Sequence, residues 1–287
     1  MSREWVRRQD ARPVSPPLPV RLPIQTLLRS RYGASVPPAV YWRIVSWFRE
    51  RYAVSVPGYE TPVHPYRPLE LPPDAVQRLT GRTYPPWENR FESLGAVSSG
   101  GWDSRPLDAD PAEHPTVRLY GGTHVRETTL YRSLSARFER GVAWEDTALF
   151  DVLTEEFDTG RSVWHDCRTV ADARERCARL DALYERMRAE GYRSQLELVR
   201  RAGVPPVERP FADVMRNEVA VDIGRNGDPL LVEGRHRLIL ADLLDLDTVT
   251  VVVYVRHTDW METRDAVAVG RTAGTDARTD HPDLQGL

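Results

Sequence analysis

The sequence predicts an α+β fold, and three features carry that expectation. Val219, Val221 and Ile223 alternate with Ala220 and Asp222, the period of a half-buried strand. Leu238, Ile239, Ala241, Leu243 and Leu244 share one helical face that stops near Asp247. Thr248 to Val255 is almost wholly β-branched, which marks a strand buried on both faces. Between the first strand and the helix, Leu230, Leu231 and Val232 return as a second strand. Asn226-Gly227 joins the pair as a tight hairpin turn in which both central residues take positive φ. The C-terminal half thus holds a mixed sheet with helices, and the half before it reads as mainly helical.

The remaining elements follow in order. Residues 1–38 are rich in Pro and Arg, with Pro13, Pro16, Pro17, Pro19 and Pro23, and read as an extended arm. Val40 to Tyr52 forms an aromatic helix with Tyr41, Ile44, Val45, Phe48 and Tyr52 on one face. Trp42, Trp47, Arg43 and Arg49 offer that helix to a membrane surface or a partner, besides packing on its own domain. Tyr66 to Leu71 is a short strand leading into a helix that opens at Pro72-Pro73. Gly95 to Asp103 is a glycine-rich loop without the spacing of a dinucleotide fingerprint. It fits either a tryptophan-anchored surface turn or a substrate loop.

Leu130–Glu139 and Ala143–Glu156 read as two helices around Gly141. Thr169, with Asp172 completing a capping box, starts a helix of about five turns that ends at Gly191. Residues 192–217, containing Pro205, Pro206 and Pro210, read as a connecting loop. The polar tail beyond Glu262 is expected to be disordered. The expected divisions are 1–62, 63–160, 161–260 and 261–287.

Composition narrows the chemistry. The chain has 287 residues and no lysine, so all 39 basic side chains are arginine. That excludes a Walker A lysine, a Schiff base and a lysine general base. Any phosphate must be held by arginine, histidine and backbone amides. The net charge is −3 and the arginines are interspersed with carboxylates, which argues against sequence-specific DNA binding. No apolar run reaches about eighteen residues, so no transmembrane segment is expected. No secretory signal is visible either, and a cytoplasmic location is the expectation.

Cys177 shares an apolar stripe with Leu180, Tyr184 and Met187 and reads as core. Cys167 follows His165 and Asp166, but adjacent residues seldom converge on one atom, so a thiol nucleophile is not expected. The histidines at 64, 114, 124, 165, 257 and 281 show no paired spacing, which argues against structural zinc. Magnesium would arrive with bound phosphates.

The most informative segment is the elbow Gly234-Arg235-His236-Arg237. It lies at the mouth of a helix, where unpaired N–H groups and the helix dipole favour an anion. Two arginines there are electrostatically misplaced unless something negative compensates them. Glu233 and Asp242 could do so internally, or a phosphate could do so from outside. An internal cluster has no need of an imidazole at His236.

The order strand, Gly-x-[His/Arg]-Arg, helix, strand resembles the ParB/sulfiredoxin superfamily, most closely its ParB-like kinase branch, over about forty residues. The resemblance implies a ParB/sulfiredoxin-like mixed sheet within 161–260. It also implies a nucleotide (ATP, ADP or CTP), with Mg2+, held by Gly234, Arg235, His236 and Arg237. Phosphoryl transfer to a small molecule or protein group follows, with Glu233 and His236 as catalytic residues. Transfer of this kind needs mainly positioning and charge stabilisation. An acceptor hydroxyl needs a carboxylate, for which Glu233, Glu70 and Asp103 are the candidates. The chain departs from two branches. The cysteine that sulfiredoxins place before the His-Arg pair is Arg235 here. The first arginine of the partition proteins' pair is His236, and no helix-turn-helix follows. A nucleotide-sensing binding module and a DNA-processing protein are the alternatives.

Overall fold

The β-branched run near the C-terminus becomes the middle of the sheet. In the computed structural model, which describes residues 37–88, 90–204, 211–271 and 280–287, it is a nine-residue strand buried at every position. Almost all of the expected N-terminal arm, and Pro205, Pro206 and Pro210, lie outside the described residues.

In chain order the first elements are α1 (Pro38–Arg51), β1 (Leu69–Leu71), β2 (Arg78–Leu79), α2 (Arg90–Ser93), β3 (Ala96–Ser98) and α3 (Val117–Tyr120). Next come α4 (Thr129–Arg140), α5 (Ala148–Asp158), α6 (Val170–Glu190), α7 (Gln195–Arg201) and α8 (Phe211–Arg216). The chain then runs through β4 (Val219–Ile223), β5 (Pro229–Glu233), α9 (Arg235–Leu243), β6 (Val249–His257) and α10 (Thr258–Ala268).

The fold is α+β with a mixed sheet in the order β1-β6-β4-β5-β2. β4 is parallel to β6 and antiparallel to β5, β2 is parallel to β5, and β1 is antiparallel to β6. β3 joins β6 in parallel near its C-terminal end, Ser98 opposite His257. The half expected to be mainly helical therefore supplies three short strands.

Both faces of the sheet are covered. Val219, Val221, Leu231, Val251 and Val253 point into a core with Leu134, Leu149, Leu153, Leu180, Leu238 and Ile239. Ala220, Leu230, Val232, Val252 and Tyr254 face a second core built by Trp42, Val45, Leu196, Phe211 and Met215. This is why β4 is buried throughout and not half-buried as its alternation suggested. Asp222 is buried too, and accepts hydrogen bonds from Thr80 Oγ1 (2.7 Å), Arg82 Nε (2.6 Å) and the Val255 amide (3.0 Å).

Four local expectations change. In the hairpin turn only Gly227 has positive φ, and its amide donates to the Gly224 carbonyl. That is a longer turn than a two-residue Asn-Gly loop. In α1, Trp42 is 1% exposed and donates to the Val204 carbonyl, whereas Ile44 is 54% and Trp47 59% exposed. Within the expected 192–217 loop, Ser194 and Glu197 form a capping box that starts α7. The expected disordered tail begins inside α10, and residues 280–287 return to the core, where Asp283 is buried against Arg256 and Arg264. The Leu130–Glu139 and Thr169–Gly191 helices form as expected, with Gly141 left-handed at the end of α4, whereas the helix expected from Ala143 opens as a 3-10 turn at Trp144–Asp146 and becomes α5 at Ala148. Among the described residues no helix is long and apolar enough to cross a membrane.

Candidate anion-binding cleft

The site begins with one glycine. Gly234 has φ +85°, and a Cβ there would lie 2.8 Å from the Cα of Val219. Only glycine turns the chain sharply enough from β5 into α9 at such close approach. No side chain caps α9, so its first amides keep no side-chain acceptor. The elbow therefore exists as the sequence proposed, with its residues brought together at one wall of a cleft of about 670 Å³.

Arg235 is 7% exposed, with its guanidinium between the rings of Trp87 (4.6 Å) and Tyr120 (4.8 Å). These faces hold a cation and leave its in-plane N–H donors free. Its Nε and Nη2 have no hydrogen-bond partner among the described residues. Burial pulls its pKa down, so the site holds a charge at a cost. The two carboxylates that could have compensated the elbow make their hydrogen bonds elsewhere, although Glu233 still opposes the charge of Arg235 and Arg237 through space. Glu233 accepts from Arg90 through both oxygens (3.1 and 3.0 Å). Asp242 takes Arg126 at 2.8 Å and the Tyr131 hydroxyl at 2.7 Å.

His236 is half-buried in the cleft wall, and its Nε2 accepts from the indole N–H of Trp164 at 3.1 Å. In the neutral ring this assigns the remaining proton to Nδ1. Burial first, then His165, Arg176, Arg235 and Arg237, push its pKa well below the ordinary histidine value. Arg237 lies 3.7 Å from Glu218 and 3.5 Å from the Tyr192 hydroxyl.

The facing wall comes from two places that the elbow did not announce. Trp164, His165 and Asp166 are consecutive left-handed residues (φ 52°, 60° and 65°), enclosed by a hydrogen bond from the Val163 amide to the Cys167 carbonyl. Non-glycine residues enter that region at a cost, and such strain concentrates at functional sites. The turn brings the His165 ring within 5.8 Å of His236. Desolvation, ahead of Arg176 and Arg235, pushes the His165 pKa down to about 4. Behind it, α6 presents Arg176, Arg179, Leu180, Leu183 and Arg186 to the cleft. Arg176 stacks over Trp164 at 5.2 Å, and its Nε also has no partner among the described residues.

Five arginines thus line the cleft (Arg176, Arg179, Arg186, Arg235 and Arg237) against two carboxylates, Glu218 and Glu233. Burial raises the pKa of both carboxylates, against the lowering pull of neighbouring arginines. Glu218 is 1% exposed, accepts the Gln195 amide through Oε1, and keeps Oε2 without a hydrogen-bond partner. Such a cleft is chemically suited to an anion with several oxygens.

Other sequence candidates fall outside it. Glu70 accepts from Thr250 Oγ1 at 2.8 Å on the β1–β6 ladder. Asp103 is held by Arg225 through its amide (3.0 Å), Nε (2.7 Å) and Nη2 (2.7 Å), where it pins the hairpin turn. Burial alone would raise the Asp103 pKa, but these hydrogen bonds outweigh it and bring it to about 2. Neither belongs to the cleft lining. The glycine-rich loop is a tryptophan-anchored turn, with Trp102 buried beside His257. Cys167 and Cys177 are buried and their pKa values raised by burial. Among the described residues no three His, Cys, Asp or Glu side chains converge as a metal site. A hydrated Mg2+ that came with phosphates would need only one or two carboxylate oxygens, and Glu218 and Glu233 are the carboxylates that line the cleft.

The residues that sequence reasoning missed are Arg176, Trp164, His165, Trp87, Tyr120 and Glu218. Arg176, Arg179, Leu183 and Arg186 did carry a signal, a second helical stripe beside Cys177, Leu180 and Met187. The class that these observations define is an α+β protein with an arginine-lined cleft at a strand–helix elbow. No family model matches the chain, and comparison with curated proteins and with solved structures gives no match.

Proposed function

We propose that the cleft binds a nucleoside di- or triphosphate and that the protein is a phosphotransferase acting on a small molecule or protein group. The observation that supports this most is Arg235, a buried guanidinium held by two aromatic faces with two donors unpartnered beside the cavity. A buried cation without a carboxylate is unfavourable until an anion arrives, so the site is preorganised for one. Arg235, Arg176, His236 and the first amides of α9 receive the phosphate oxygens. The ParB/sulfiredoxin resemblance at the elbow points to the same ligand.

Within this reading Glu218, not Glu233, takes the acceptor proton. Its Oε2 accepts no hydrogen bond among the described residues, with Arg237 at 3.7 Å, and its raised pKa suits proton transfer, whereas both Glu233 oxygens are occupied by Arg90. Glu233 then serves to fix Arg90 at the cleft edge. Mg2+, where bound with the phosphates, supplies charge neutralisation. The engagement of Glu233 also favours a second reading, a nucleotide-sensing module that binds without turnover.

Calorimetry with ADP, ATP and CTP in the presence of Mg2+ tests the binding. We expect saturable heat with at least one of them, and its loss in Arg235→Met. No heat and no melting shift with any of the three would overturn the proposal. Steady nucleotide turnover separates enzyme from sensor, and Glu218→Gln should abolish turnover while retaining binding.

A further inference from the structure

The cleft does not end at the elbow. It continues into a side pocket of about 60 Å³, with Arg186, Gln195 and Arg237 lining both spaces. The side pocket adds Arg193, which is paired with Glu190 at 3.2 Å, and Arg237 stands 3.7 Å from Glu218, so Arg186 is the arginine of the three without a carboxylate among the described residues. Its volume is that of about two waters, enough for a phosphoryl group and too small for a ring.

The pairing of arginines along α6 separates this wall from an ordinary solvated helix. Arg174 pairs with Glu145, Arg179 with Glu175 and Arg188 with Glu185. Arg176 and Arg186 line the cleft, and neither has a carboxylate partner among the described residues. Ten residues of helix place their Cα atoms roughly 15 Å apart on one rigid rod. The phosphates of a single nucleotide form one contiguous cluster, which Arg176, Arg235 and His236 already receive.

Building on the phosphate-binding reading above, we propose that the natural ligand carries two separate anionic groups, one seated at the elbow and one in the Arg186–Arg193–Arg237 pocket. Its chemical class is an elongated bisphosphorylated molecule, such as a dinucleotide with a terminal phosphate. Arg237 touches both subsites and joins them.

Alkane-α,ω-bisphosphates of increasing length act as a ruler for this spacing, with methyl phosphate as the single-group probe. Calorimetry on the full chain should show affinity rising with length to a maximum at least about tenfold above methyl phosphate, since each charge-assisted contact carries that scale. Arg186→Ala should flatten the maximum. The same change in a second variant, Arg193→Ala, keeps the test independent of one side chain's effect on α6. Methyl phosphate binding with no length dependence, or an unaltered maximum in both variants, would overturn the two-subsite proposal alone. Failure of every probe to bind would overturn it together with the phosphate-binding reading.

Discussion

Two groups of arginine, Arg256 with Arg264 and the buried Arg235 with the half-buried Arg176, are treated in opposite ways. Arg256 and Arg264 converge on Asp283, at 2.5 and 2.9 Å from Arg256 and 2.8 Å from Arg264, and Trp260 adds a donor at 3.0 Å. Burial alone would raise the Asp283 pKa, but the two arginines and the indole outweigh it and hold the carboxylate ionised. Arg235 and Arg176 are instead stacked on Trp87, Tyr120 and Trp164, with no carboxylate bonded to either among the described residues. Hydrogen-bond completeness does not separate the groups, because Arg256 Nη1 and Arg264 Nε also lack partners among the described residues. Counter-charge does. Arg256 and Arg264 bond a carboxylate directly and serve as a staple, whereas we propose that Arg235 and Arg176, held on aromatic rings beside a cavity, serve as a receptor.

The largest expected effect lies in the staple. Asp283→Ala leaves two buried cations uncompensated, and breaking a buried pair in this way costs on the order of 3–5 kcal/mol. Urea unfolding should show that loss with phosphate affinity at the elbow nearly intact. A loss below about 1 kcal/mol would mean that the C-terminal return is not a staple.

The receptor should respond the other way. Arg235→Met removes a costly charge and keeps apolar contact with Trp87 and Tyr120. Stability should therefore change by less than about 1 kcal/mol. Phosphate affinity should fall at least about tenfold, the scale of a charge-assisted contact of about 1.5–3 kcal/mol. Destabilisation equal to that of Asp283→Ala would erase the distinction between the two groups.

The histidines sharpen the contrast through pH. His236 is held well below its ordinary pKa and His165 is lowered to about 4, so both are neutral when folded at neutral pH. The unfolded chain, with histidine near about 6.5, takes up protons first as pH falls. Their contribution to stability is thus present above about pH 6.5 and lost as pH falls toward the folded values. An anion raises both values and opposes that loss. Melting curves with and without pyrophosphate should diverge as pH drops from 7.5 to 5.5, with a smaller divergence in His236→Gln. Equal divergence in the variant would detach His236 from the anion.

Asp103→Ala carries the smallest effect. Its partner Arg225 is partly exposed, so loosening the hairpin turn should cost about 1 kcal/mol without altering phosphate affinity. Loss of transfer activity in this variant would restore Asp103 as a candidate base.

The same contrast explains how much the sequence could reveal. The elbow was legible because everything that makes it is local: a hairpin, a chain-breaking glycine, and a helical stripe from Leu238 to Leu244. β6 was legible because a β-branched run has few other uses. β1 was legible as the end of the Tyr66–Leu71 run, but β2 and β3 are two or three residues long, too short for a period, and they pair with strands more than a hundred residues away. The exposure of Ile44 in α1 was hidden because Trp42 and Ile44 are both apolar, and only tertiary contact with Val204 chooses between them. The left-handed turn at Trp164–Asp166 has no glycine to announce it. The clamp on Arg235 joins Trp87 and Tyr120 from separate segments, so no spacing in the chain encodes it.

The most direct measurement is a crystal structure of the protein grown with ADP and Mg2+. The account predicts phosphate oxygens within hydrogen-bond distance of Arg235 Nε or Nη2, with Arg235 still held between Trp87 and Tyr120 and a further contact from Arg176. A nucleotide bound away from the elbow, or Arg235 paired to a protein carboxylate in the complex, would contradict it.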